Sequence, residues 1–74
     1  MNLKQNQRYQ ATVQLSGIEL FASNTDIVNE FMKAGFSEVV VTGSGRQRQA
    51  VGRWPKDSIS NAPIPKQVTN IKEV

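Results

Sequence analysis

Val39–Trp54, read as VVVTGSGRQRQAVGRW, is the stretch that decides the fold. Three β-branched residues, Val39, Val40 and Val41, lead through Thr42 into Gly43-Ser44-Gly45. The chain then resumes as Arg46-Gln47-Arg48-Gln49-Ala50-Val51. β-Branched runs suit strands and glycine reaches the positive φ of tight turns, so the segment predicts a β-hairpin. A two-residue turn at Ser44-Gly45 sets Val41 opposite Arg48, Val40 opposite Gln49 and Val39 opposite Ala50. A three-residue loop shifts the pairing by one and moves Val51 to the face of Val39 and Val41. Both registers stay open, and with them the face that carries the arginines. Trp54-Pro55-Lys56-Asp57 ends the second strand, because proline has no N–H for a ladder and holds the residue before it extended. The hairpin holds three arginines and the single tryptophan. It is the expected centre of the sheet and the expected working surface.

On the N-terminal side of the hairpin the signals are those of a helix. Ser23-Asn24-Thr25-Asp26 offers side-chain oxygens to free backbone N–H groups, and Asp26 suits the positive end of a helix dipole. Ile27, Val28, Phe31, Met32 and Ala34 form an apolar stripe at helical spacing. Gly35 fits a left-handed C-terminal position, from which Phe36 packs back on Phe31. The spacing predicts a helix over about residues 25–34. Before it, Tyr9, Ala11, Val13 and Leu15 alternate with Arg8, Gln10, Thr12 and Gln14, the period of a strand buried on one side. Ser16-Gly17 ends or bulges that strand, and Ile18–Phe21 reads as an irregular apolar bridge. Residues 1–7 read as a loose polar arm or the entry to the first strand.

Beyond the hairpin, residues 57–66 (DSISNAPIPK) are rich in turn formers, and Pro63-Ile64-Pro65 favours polyproline conformation. They read as a surface linker with Ile59 and Ile64 as anchors. Gln67–Val74 reads as a last strand through Val68, Thr69, Ile71 and Val74. The expected fold is a single small α+β domain over residues 1–74, in the order β-α-β-β-β. One amphipathic helix covers one face of a three- or four-stranded, mainly antiparallel sheet. The other face, drawn from Arg8, Gln10, Thr12, Gln14, Thr42, Gln47 or Arg48, and Gln49, has no cover and is mostly polar. The expected core is Val13, Leu15, Ile27, Phe31, Phe36, Val39 and Val41.

A strand, a helix ending Ala34-Gly35-Phe36 and a hairpin ending Gly52-Arg53-Trp54-Pro55 resemble the first half of a SPOR domain, the peptidoglycan-binding repeat. The resemblance covers about residues 8–55. Such a domain continues into a second helix, where this chain has Pro63-Ile64-Pro65. What the resemblance implies is topology, not activity.

Composition narrows the function classes. A chain of 74 residues with 38% hydrophobic residues lies near the lower limit for a self-sufficient core, so stability is expected to be modest or completed by a partner. There is no cysteine and no histidine, which removes disulfides, the commonest general base and the soft metal ligands. No run approaches the roughly 20 apolar residues of a membrane span. The opening MNLKQNQRYQ lacks the apolar core of a signal peptide. Cytoplasmic synthesis is therefore expected, with a virion as a further destination. The net charge of +3 is uneven: residues 19–38 are mainly acidic, and residues 46–66 mainly basic. Asp26 and Glu30 share a helix face, but acidic residues near a helix start serve the dipole and solubility better than acid–base chemistry. Gly43-Ser44-Gly45-Arg46 lacks the Lys-Ser/Thr and following helix of a phosphate loop.

What remains is binding. The candidate residues are Arg46, Gln47, Arg48, Gln49, Arg53, Trp54 and Lys56, which combine arginine and tryptophan, types enriched in interface hot spots. The expectation is a non-enzymatic binding or assembly protein that works through protein–protein contacts of this basic hairpin and the open sheet face. A virion component, an assembly accessory and a host-factor-binding protein all suit that description. The expected partner is another protein or a homo-oligomeric assembly, with no cofactor, metal or small-molecule substrate. The alternative is a small nucleic-acid-binding protein whose arginines neutralise phosphates while Trp54 or Tyr9 stacks on bases.

Overall fold

The computed structural model describes residues 2–60 and 67–74. The predicted hairpin forms from β2 (Ser37–Ser44) and β3 (Gln47–Trp54). Its two-residue turn is Gly45-Arg46, not Ser44-Gly45, and pairs Val41 with Ala50, Val40 with Val51 and Gly43 with Arg48. The shift places glycine first in the turn with φ 74° and leaves Arg46 outside the left-handed region, as a type II′ turn requires. Because the shift is by an even number of pairs, the faces match those of the two-residue reading. Val39, Val41, Arg48 and Ala50 share one side; Val40, Thr42, Gln49 and Val51 share the other.

β1 (Gln7–Gln14) lies against β3, and β4 (Val68–Glu73) lies on the far side of β1, all antiparallel. The order across the sheet is β2-β3-β1-β4. β1 and β2 are therefore parallel to one another with β3 between them. The 3-10 turn η1 (Gly17–Phe21) and the helix α1 (Asn24–Ala34) make the crossover that joins them. Ile18–Phe21 is thus an ordered turn, not an irregular bridge.

Local chemistry sets the ends of α1. The Ser23 hydroxyl accepts from the Asp26 N–H, and the Asp26 carboxylate accepts from the Ser23 N–H, a reciprocal cap at 3.1 Å each way. At the other end Gly35 has φ 117°, the Phe36 N–H reaches the Phe31 carbonyl, and the Gly35 N–H reaches that of Met32. This is the expected Schellman ending. It sets the Phe31 and Phe36 rings edge to face with centroids 5.8 Å apart.

The core lies between α1 and one sheet face. Tyr9, Ala11, Val13, Leu15, Ile27, Phe31, Phe36, Ala50 and Trp54 are buried in it, while Val39 and Val41 are half-buried beside it. Met32, assigned to the apolar stripe, is 55% exposed. A correction also applies to residues 1–7: they are not all a loose arm. Leu3 has only 1% of its surface exposed, and its backbone pairs with that of Ile59. Pro63-Ile64-Pro65 and the anchor Ile64 fall outside the described residues.

Candidate functional site

The sheet face away from α1 carries Arg8, Gln10, Thr12 and Gln14 of β1 and Gln47, Gln49, Val51 and Arg53 of β3. Val40 and Thr42 of β2 extend it on one side; Asn70 and Lys72, opposite Thr12 and Gln10, extend it on the other. On the edge strand β2, Val40, 57% exposed, pairs with the half-buried Val51 of β3. The Gln49 amide oxygen faces the Gln10 amide and the Thr12 hydroxyl, both at 3.4 Å. A small apolar patch at the β2 edge, bordered toward β1 by amides and hydroxyls, results.

β2 carries one extra residue between Ser37 and Val40 relative to β3, and Glu38 sits there with φ 52°. Such a bulge bends a strand and redirects a side chain. Here it brings the Glu38 carboxylate into an ion pair with the Arg53 guanidinium. Arg53 also donates to the Asn6 side chain at 3.4 Å. One of the arginines expected on the working surface is thus already partnered within the chain.

The candidate residues separate into two groups. Gln47, Gln49 and Arg53 lie together on the open face, and Arg46 is exposed in the turn at its edge. Arg48 and Trp54 lie on the opposite face and are buried, so their assignment to the binding surface of the hairpin is corrected. Arg48 donates from Nε to the Gly45 carbonyl at 3.1 Å and from its terminal nitrogens to Asn24 Oδ1 at 2.7 Å and the Leu20 carbonyl at 3.4 Å. Asn24 in turn donates to the Gly43 carbonyl. One guanidinium therefore joins the hairpin turn, η1 and the start of α1. Trp54 stacks edge-on against Phe36 at 5.2 Å and donates from its indole nitrogen to the Asp57 carbonyl. Lys56, exposed, holds its ammonium 5.9 Å from the Trp54 ring. Tyr9, the other stacking candidate, is buried, and its hydroxyl accepts from the Lys4 N–H.

Sequence reasoning missed Val40, Val51 and Lys72 as site residues, and placed Arg8 on the open face where it lies. The signal was there for Val40: in a strand, three successive valines cannot all face the core. Among the described residues there is no cluster of three metal-ligating side chains, and no helix is long and apolar enough to cross a membrane. The chain matches no known family model, no curated protein and no solved structure.

Proposed function

We propose that this is a non-enzymatic docking protein whose open sheet face binds another protein. The observation that carries this reading is the anatomy of that face: an exposed Val40 paired with the half-buried Val51 at the β2 edge, bordered by Gln10, Gln49, Thr12, Thr42 and Arg53. An apolar patch beside amides, hydroxyls and an arginine is a combination protein interfaces use. Strand spacing of ~4.8 Å and a rise of ~3.3 Å per residue give three eight-residue strands and one of six residues a flat face of roughly 475 Å². That is below the ~800 Å² per partner of a standard interface, so binding through this face alone is expected to be weak and reversible.

The aromatic residues argue against single-stranded nucleic acid as the partner. Tyr9, Phe31, Phe36 and Trp54 are buried on the helix side, and Phe21 belongs to η1, so the open face offers no ring for stacking. The face also sets Arg53 against Glu38, which lessens its pull on phosphates. Chemistry has little to work with, since Asp26 caps its own helix and Glu30 contacts Lys33 at 3.7 Å. A virion, an assembly accessory role and host-factor binding are settings this reading fits.

Affinity capture from the native source, with and without nuclease and at two salt concentrations, tests the proposal. A defined protein that is retained through nuclease and moderate salt is the expected result. Recovery of nucleic acid alone, with log affinity falling against log salt at a slope near −0.9 per phosphate contacted, would replace it with the alternative.

A further inference from the structure

The two edges of the sheet differ in how they are guarded. β4 has six residues and carries Lys72 and Glu73, and charges on a short edge strand discourage pairing with a neighbour. β2 has eight residues, SEVVVTGS, with no lysine, arginine or proline. Its Glu38 bulge interrupts the edge at one end only. The ladder shows which backbone groups of β2 point outward. The Trp54 carbonyl accepts from Asn6 and the Arg46 carbonyl from Leu15, so the even-numbered residues of β3 bond toward β1. Gln47, Gln49 and Val51 therefore bond toward β2, to Ser44, Thr42 and Val40. That leaves the Val39 carbonyl, the Val41 N–H and carbonyl and the Gly43 N–H facing away from the sheet. Among the described residues none of these four groups has a partner. The Gly43 carbonyl already accepts from the Asn24 side chain at 3.1 Å.

Apolar surface is exposed on both sides of this same edge. Val40 is exposed on the open face, and Val41 is half-buried on the other. On α1, Asp26 and Glu30 lie beside Val13, Gln67 and Val68. At 3.6 residues per turn Val28 and Met32 take the opposite flank of the helix, the β2 side, where Asn24 reaches Gly43. That flank is where Met32, a member of the apolar stripe, stays 55% exposed. Ile59 and Gln67, which flank residues 61–66, are tied elsewhere. Ile59 pairs with Leu3, next to Lys4 and its ion pair with Glu73 of β4, and Gln67 bonds to Gln14 of β1. Both attachments lie on the β1 and β4 side of the fold.

We propose that β2 pairs antiparallel with β2 of a second copy of this chain, about a two-fold axis at Val41, to give one eight-stranded sheet. In that register Val41 faces Val41 of the other copy, and each donates its N–H to the other's carbonyl. The Gly43 N–H of each donates to the Val39 carbonyl of the other. All four outward groups are then satisfied, and the Gly43 carbonyl keeps Asn24. Ser44 comes opposite Glu38 of the other copy, which brings the turn carrying Arg46 alongside that carboxylate. Glu38 is paired with Arg53, and a carboxylate has acceptor sites for a second cation. The two-fold axis makes this contact twice, and that complementarity assigns the edge to a second copy. Val40 comes opposite Thr42 of the other copy, so the two apolar patches meet across the axis. The joined open face measures roughly 950 Å², above the ~800 Å² per partner of a standard interface. Self-pairing does not depend on the docking reading and is measured without any other protein.

Sedimentation of the full chain between about 10 μM and about 1 mM, combined with amide hydrogen exchange, tests the proposal. A rise to twice the mass of one chain is expected, with the Val41 and Gly43 amides gaining protection as concentration increases. Val41→Pro removes an N–H that β3 does not use and is expected to weaken self-association by at least about tenfold. Because the chain has no cysteine, two further variants read the register. Val40→Cys mixed with Thr42→Cys is expected to oxidise mainly to the mixed disulfide, since the two positions form a close, non-hydrogen-bonded pair. A monomer up to about 1 mM, a dimer whose Val41 and Gly43 amides exchange as freely as in the monomer, or disulfides with no preference for the mixed pair would overturn the proposal. Protection of those amides only on addition of a different protein would overturn it too, and would give the edge to that protein's strand. Each of these results would leave the open-face reading standing.

Discussion

Arg48→Met separates a structural arginine from a binding one. Methionine keeps much of the apolar stem but removes all three donors, leaving the Gly45 carbonyl, Asn24 Oδ1 and the Leu20 carbonyl without them. Hydrogen bonds to a charged group contribute ~1.5–3 kcal/mol each. The bonds at 3.1 and 2.7 Å count in full and the one at 3.4 Å hardly at all. Part of the loss returns when water reaches carbonyls near the hairpin tip, so the net cost is about 2–4 kcal/mol. At ~0.05–0.15 kcal/mol per residue, a chain of 74 residues has a stability of roughly 4–11 kcal/mol, so the loss is a large share. Urea unfolding followed by Trp54 fluorescence reads it as a lower midpoint at unchanged slope. A change below about 0.5 kcal/mol, the size of an ordinary surface substitution, would refute the structural role.

Three further substitutions test the packing. Phe31→Ala removes a buried core ring that packs edge to face on Phe36 and is expected to cost about 3–5 kcal/mol, read by calorimetry. Gly35→Ala forces a Cβ to within 2.9 Å of the Trp54 ring at φ 117°. A loss of about 2 kcal/mol or more is expected in thermal unfolding, and an unchanged Tm would contradict the helix ending described. Leu3→Ala is expected to cost about 2–4 kcal/mol, although it lies in a stretch that reads as a polar arm. Unchanged stability would mean that the Leu3–Ile59 pairing contributes nothing.

What was legible in the sequence is what depends on neighbours along the chain. Alternation from Arg8 to Leu15, the cap at Ser23 and Asp26, and the Gly35-Phe36 ending each carry their own local signature, and the structure has all three. The order across the sheet and the place of the arginines depend on distant partners. Arg48 is held by Leu20 and Asn24, which reach it only when the crossover folds back over the hairpin. An arginine two residues from a glycine-rich turn reads as exposed, and no local pattern says otherwise. Trp54 has the same history: it fills the space beside Gly35 and Phe36. Leu3 is a lone apolar residue in a polar run, and its partner Ile59 lies across the fold. The hairpin turn slipped because two glycines stand on either side of Ser44, and only the preference for glycine in the first turn position favours Gly45.

The most direct measurement on the open face uses Val40→Lys combined with Thr42→Lys. Both positions are exposed on the edge strand β2, and both side chains lie on the face away from α1. Two added cations act in opposite directions on the two classes of partner. They put charge into and beside the apolar patch of the proposed protein interface, and they add phosphate contacts to a nucleic-acid surface. Binding of the folded double variant to the captured partner is compared with that of the unaltered protein at one salt concentration. A docking protein is predicted to lose at least about tenfold in affinity, ~1.4 kcal/mol. Equal or tighter binding by the variant, with a steeper dependence on salt, would contradict the account.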